Sequence, residues 1–179
     1  VQEQLAFLGM GSCRFAVAIR PLADKGPSPA GAEQIEFLVA TNPGAEPGPL
    51  ARIASGGELS RISLAIQVII ASRATTPTVI FDEVDVGIGG ATADAVGSLL
   101  QTLGQRIQVV CVTHLPQVAA RGAQHLLASK SSNGESTSAA LTPLAADERV
   151  EELARMLGGK TVTKKTQEHA REMLESATL

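Results

Sequence analysis

Residues 54–61 read Ala54-Ser55-Gly56-Gly57-Glu58-Leu59-Ser60-Arg61, a hydroxyl and two glycines leading straight into a helical pattern. The first N–H groups of a helix have no partner within it, and glycines leave them open to an approaching anion. Ser55 adds a hydroxyl donor. The same residues also describe a plain Ser N-cap with glycines in a turn. Taken alone, the segment leaves both readings open, and its surroundings have to decide.

Downstream lies a helix over Glu58–Ser72, in which Leu59, Ile62, Leu64, Ile66, Val68, Ile69 and Ile70 make most sides apolar and predict burial. Thr78–Phe81 is a short apolar strand that delivers Asp82 and Glu83 at its C-terminal end. Ligands of open α/β sheets bind at such ends. In a nucleotide site Asp82 would hold Mg²⁺, largely through water, and Glu83 would orient or deprotonate the attacking water. A polar turn after a strand is the alternative. A second helix over Thr92–Leu103 leads to a second apolar strand, Ile107–Val112, which ends in Thr113-His114. A histidine at a strand end can reach a phosphate as donor or sensor, although a lone histidine is more often an ordinary loop or core residue. Two apolar strands joined through a helix predict a βαβ unit whose sheet is covered on both faces.

Upstream, Val1–Leu8 reads as the tail of a helix already under way. Cys13–Leu22 and Ile35–Ala40 read as an antiparallel pair joined through a connection marked by Pro27, Pro29 and Gly31. Residues 42–49 hold three prolines and two glycines and are expected to be a loop. Towards the C-terminus, Asn133-Gly134 marks a turn between strands at His125–Lys130 and Thr137–Leu141. Val150, Leu153, Ala154 and Leu157 give an amphipathic helix stopped by Gly158-Gly159, and Ala170, Met173, Leu174 and Ala177 give a last one.

The bulk properties narrow the function classes. At 179 residues and 44% hydrophobic residues the chain is long and apolar enough to bury a core. A net charge of -3 supplies no basic field for nucleic acid, so any DNA contact must be a local patch or lie outside this chain. With no Trp or Tyr and only four Phe, stacking on exposed bases is not its main binding mode. Cys13 and Cys111 sit in apolar runs with no metal or disulfide spacing, as expected for a reducing cytosol. No signal peptide and no membrane-spanning run is visible.

The order of the motifs is more specific than any one of them. A phosphate-binding SGGE turn, a helix, a strand ending in two acids, Asp85, a second helix and a strand ending in His114 follow one another. This resembles the signature motif, Walker B strand, D-loop and switch histidine of ABC-type ATPases. Three stretches, 53–61, 81–88 (Phe-Asp-Glu-Val-Asp-Val-Gly-Ile) and 111–119 (Cys-Val-Thr-His-Leu-Pro-Gln-Val-Ala), are similar to the RecN family, SMC-like bacterial proteins of DNA double-strand-break repair. Ala154-Arg155-Met156-Leu157-Gly158-Gly159 and Leu8-Gly9-Met10 add to the likeness, which extends over essentially the whole chain.

The resemblance implies an α/β fold, the C-terminal lobe of an ABC/SMC-type P-loop ATPase head. Its core would be a mainly parallel sheet flanked by helices, with added antiparallel strands. Residues 1–179 would form that lobe, with 1–10 the end of a coiled-coil arm and 42–49 the loop before the signature motif. Ser55, Gly56, Gly57 and Glu58 would touch the γ-phosphate of ATP held by a second copy of the head. Asp82 would serve Mg²⁺, Glu83 would be the catalytic base or water-positioning residue, Asp85 would lie at the seam between heads, and His114 would contact the γ-phosphate. Arg61 would support that seam or form a surface salt bridge.

The implied partners are DNA, a second head and an N-terminal lobe carrying the Walker A loop; no membrane is expected. The implied location is the cytoplasm, at the nucleoid. Without the Walker A lobe, this chain alone is expected neither to bind ATP tightly nor to hydrolyse it. Two look-alikes are set aside. Residues 154–161, ending Gly159-Lys160-Thr161, satisfy a relaxed Walker A pattern, but a helix precedes the glycines where a strand is required. Gly87-Ile88-Gly89-Gly90 follows the acids and opens no helix directly from a strand, so it is no dinucleotide fingerprint. The alternatives to a repair ATPase are another SMC- or Rad50-like head, and a dimerisation module with little hydrolysis.

Overall fold

The computed structural model describes residues 1–22, 29, 31–52, 55–82, 84–134, 136–159 and 161–177. These form two compact units, one of Val1–Pro77 with Val86–Ile88, the other of Thr78–Asp85 with Gly89–Leu179.

The first unit begins with α1 (Gln2–Phe7), followed by β1 (Arg14–Pro21), β2 (Glu33–Ala40), the two-residue β3 (Gly48–Pro49), a 3₁₀ turn at Leu50–Arg52 and α2 (Gly56–Arg73). The expected hairpin is present, antiparallel from Arg14 opposite Ala40 to Pro21 opposite Glu33. Pro27, expected to mark its connection, lies outside the described residues. The Gln2 amide ties α1 to the hairpin: its nitrogen donates to the Cys13 carbonyl and its oxygen accepts from the Phe15 N–H at 3.1 Å.

Two expectations change in this unit. The 42–49 loop is not wholly irregular, because its last two residues pair with Leu38 and Val39 as β3. Proline is tolerated there because an edge strand leaves one side of its backbone unpaired. Nor is α2 buried all round. Ile62, Leu64, Ala65, Val68 and Ala71 are buried, whereas Leu59 and Ile70 are exposed. One stripe suffices to bury a helix against its neighbours, and α1 packs on α2.

The second unit runs β4 (Thr78–Phe81), α3 (Ala91–Gly104), β5 (Gln108–Cys111), α4 (Pro116–Ala120), β6 (Leu126–Ser132), β7 (Thr137–Pro143), α5 (Ala146–Gly158) and α6 (Lys164–Ala177). The βαβ reading holds: β4 and β5 are parallel, with Phe81 opposite Cys111 at their C-terminal ends. The sheet is not covered on both faces. Phe81 is buried, but Ile80 on the opposite face is 68% exposed, and Val110 and Val112 are exposed with it. Strand side chains alternate between faces, so burial of only one face leaves every second residue bare.

Helix packing supports the strand ends. Gly97 in α3 lets α4 approach closely; a methyl built there would stand 3.0 Å from the Gln117 carbonyl oxygen and 3.0 Å from the Arg121 Cγ. The far end of α4 is held by Arg149, whose guanidinium donates to the carbonyls of Ala120, Gly122 and Ala123 at 3.4, 2.6 and 3.4 Å. Ala119 and Ala120 then pack with Leu153, Ala154 and Ala170 in the helical core of the unit. The expected Asn133-Gly134 turn joins β6 and β7, with the Asn133 Oδ1 accepting from the Ser136 N–H at 2.9 Å.

Both C-terminal helices start with local caps. Glu148 accepts from the Ala145 N–H at 2.7 Å, and Thr163 and Thr166 cap each other through hydroxyl-to-amide bonds of 2.8 and 3.2 Å. Gly159 ends α5 at φ +64°. The segment resembling Walker A therefore joins two helices, as its composition predicts; Lys160 lies outside the described residues.

Candidate nucleotide site

The signature turn belongs to the first unit. Ser55 is the N-cap of α2, extended at φ -97° and ψ 120°, and its Oγ accepts from the Glu58 N–H at 3.4 Å. Gly56 and Gly57 are the first two helical residues, so the helix starts two positions earlier than the sequence pattern suggests. Among the described residues, neither glycine N–H has an acceptor. Capping and anion binding are thus compatible: the serine satisfies the third amide, and the first two remain available.

The side chains that follow brace this turn. The Ser60 Oγ donates to the Gly56 carbonyl at 3.0 Å, and the Arg61 Nε donates to the Gly57 carbonyl at 3.1 Å. Among the described residues Arg61 forms no salt bridge, so its guanidinium serves its own helix. Residues 53 and 54 of the motif lie outside the described residues. Gly87 touches Gly57: a methyl built on Gly57 would stand 2.9 Å from the Gly87 carbonyl oxygen. Periodicity carries no signal for that contact, because glycine pairs have none.

The strand ends belong to the second unit. Parallel pairing of β4 and β5 carries Asp82 and Thr113-His114 beyond the same edge of the sheet. Asp82 is exposed, while Glu83 lies outside the described residues. Burial first, and then the charges of Asp85 and Asp82, push the Cys111 thiol up to about 11. The thiol therefore stays protonated and unreactive at neutral pH. The same shift registers a negative field at the strand ends, from hard carboxylate oxygens that suit Mg²⁺, a cation needing only one or two protein ligands. Among the described residues there is no cluster of three or more potential metal ligands.

Asp85 is the one buried charged side chain among the described residues, at 2% exposure. Its Oδ2 accepts from the Thr113 hydroxyl at 2.5 Å and the His114 backbone N–H at 3.0 Å, and lies 3.2 Å from the His114 Nδ1. The Thr113 Oγ1 in turn accepts from the Leu115 N–H at 3.0 Å. The His114 side chain itself is 71% exposed. Asp85, expected at a seam between two heads, thus turns its carboxylate inward onto the neighbouring strand end. Thr113 is the residue that the sequence reading passed over; the signal available was a hydroxyl next to a histidine at a strand end.

No family model matches the chain. Among solved structures, it superposes on the SMC head domain with coiled coil and joint from Pyrococcus yayanosii with a TM-score of 0.68. That match covers 85% of this chain and 27% of the other at 18% identity. A chain from work on ATP-driven dimerization and DNA-stimulated activation of SMC ATPases gives a TM-score of 0.64 at 18% identity, covering 89% of each. The fold is that of an SMC ATPase head, mixed α/β with parallel and antiparallel pairing.

Sequence makes the assignment narrower. The chain is 52% identical to the DNA repair protein RecN of Xylella fastidiosa over 168 residues, 94% of this chain and 30% of that protein. It is 46% identical to RecN of Vibrio cholerae over 177 residues, 99% of this chain and 32% of that protein. Over nearly its whole length the chain is similar to a segment of RecN proteins. It spans about 30% of the length of these curated relatives.

Proposed function

We propose that this chain is the C-terminal lobe of an ATP-hydrolysing, SMC-like head acting in recombinational repair of DNA double-strand breaks. The observation that carries the reading is the shared strand edge at which Asp82 and the Asp85–His114 pair collect. A phosphoryl-transfer site needs a metal-binding acid and a phosphate donor close together, with little covalent chemistry from the protein. Asp82 would hold Mg²⁺, which when bound neutralises charge on the transferring phosphoryl group. Glu83, next in sequence, would orient the attacking water and accept its proton. His114 would contact the γ-phosphate through its exposed edge.

Ser55, Gly56, Gly57 and Glu58 would form the motif acting in trans, with the open amides of Gly56 and Gly57 facing the γ-phosphate of ATP held by a second head. Residues 1–10 would continue a coiled-coil arm. The bare face formed by Ile80, Val110 and Val112 is where an N-terminal lobe carrying Walker A would pack, since apolar strand faces are stable only when covered. On this reading the chain alone does not turn over ATP, and DNA is held by the full-length dimer. Among the described residues no helix is long and apolar enough to cross a membrane. A cytoplasmic, nucleoid-associated location is part of the proposal and rests on the likeness to RecN.

The test is Glu83→Gln in the full-length protein. The variant should bind ATP, accumulate as an ATP-bound dimer in size-exclusion chromatography, and lose turnover by on the order of 100-fold or more. Unchanged turnover would sink the assignment.

A further inference from the structure

We infer that Asp85 is a positioning residue for His114, acting from inside its own head through a carboxylate–imidazole contact braced by Thr113. The inference rests on His114 being the phosphate contact proposed above. Its geometry is that of a side chain held from behind. One carboxylate oxygen accepts from the Thr113 hydroxyl and the His114 backbone N–H and lies 3.2 Å from the His114 Nδ1, while the ring remains largely exposed.

A buried carboxylate is stable only when hydrogen bonds satisfy it, and here the donors come from a two-residue stretch at one strand end. The arrangement has a chemical consequence. A carboxylate can only accept, so this contact favours a proton on Nδ1. The Nε2 edge is then the free one, and turning the ring carries Nδ1 away from Asp85. Thr113 stiffens the same turn by donating to Asp85 and accepting from the Leu115 N–H. Asp85, at 2% exposure, thus favours one tautomer and one direction of His114 from inside its own head.

Two measurements on the full-length protein test this. The first is a double-mutant cycle in ATP turnover with Asp85→Asn, His114→Ala and the double variant. Asn keeps the shape and an acceptor oxygen but removes the negative charge that favours a proton on Nδ1. Asp85→Asn should lower kcat about 10-fold or more while KM for ATP moves less than about 3-fold. In the His114→Ala background the same change should cost less than about 2-fold. Penalties that multiply in the double variant, or no loss of kcat in His114→Ala, overturn the inference.

The second measurement is the side-chain ¹⁵N spectrum of His114 in histidine-labelled protein, assigned by its loss in His114→Ala. Nδ1 should be protonated in the parent, and Asp85→Asn should shift population towards the Nε2-protonated tautomer. A bare Nδ1 in the parent, or an unchanged ratio in the variant, overturns the inference regardless of activity. The two failures separate. If Glu83→Gln abolishes turnover and the cycle is additive, the ATPase reading stands and only the role of Asp85 falls.

Discussion

Gly57 and Gly87 meet backbone against backbone, so closely that a methyl on the first would stand 2.9 Å from the carbonyl oxygen of the second. Gly87 holds φ at +71°, a conformation that other residues resist. The contact binds the loop after the acids to the first turn of α2. It also reverses the usual sign of a glycine substitution in a helix.

Gly57→Ala tests that reversal. Helix propensity alone favours alanine by up to about 1 kcal/mol. The overlap is with backbone, which cannot rotate aside, and overpacking of this kind costs about 1–3 kcal/mol. The variant should therefore unfold at a lower temperature than the parent in calorimetry. A raised melting temperature would show that the two loops separate freely.

Gly97→Ala should destabilise through a different neighbour. The added methyl meets the Gln117 carbonyl and the Arg121 stem where α3 packs on α4. A loss of about 1–3 kcal/mol in urea unfolding is expected. A neutral result would mean that α4 shifts at little cost, and the turn holding His114 would then be less firmly supported than the packing indicates.

Ser55→Ala separates capping from phosphate binding. The capping bond is long, at 3.4 Å, so its loss should cost no more than about 1 kcal/mol. If the hydroxyl also meets a phosphate across the head interface, ATP turnover by the full-length protein should fall on the order of 10-fold or more with little change in melting temperature. Full activity would leave Ser55 as an N-cap alone.

His125 predicts a pH dependence. Burial, and then the nearby charge of Arg149, hold its imidazolium below the ordinary value of 6.5, with Glu152 opposing them. Between the depressed folded value and 6.5 the unfolded chain binds more protons, so stability rises with pH through that window and is lost as pH falls below 6.5. His125→Gln should flatten this slope in melting curves taken from pH 7 down to about 5. An identical slope would place the acid sensitivity elsewhere.

How much of this was legible beforehand follows from what each residue depends on. Strands ending in Asp82 and His114 could be read directly, because an apolar run that stops at polar residues announces its own end. The two extra helical residues at Gly56 and Gly57 and the pairing of β3 could not. Glycine and proline signal breaks, and here neighbouring backbone overrode them. The exposed faces of Ile80 and Ile70 were equally hidden, since hydropathy records what a residue prefers and not what covers it.

The sequence by itself determined the order of motifs and, through it, the class of fold, since hydrophobic periodicity and glycine placement are local properties of the chain. Only the tertiary structure decided what those motifs touch. Asp85 stands 29 positions before His114 and 28 before Thr113. Their meeting at one carboxylate oxygen follows from the parallel pairing of β4 and β5 across α3, and no spacing rule encodes it.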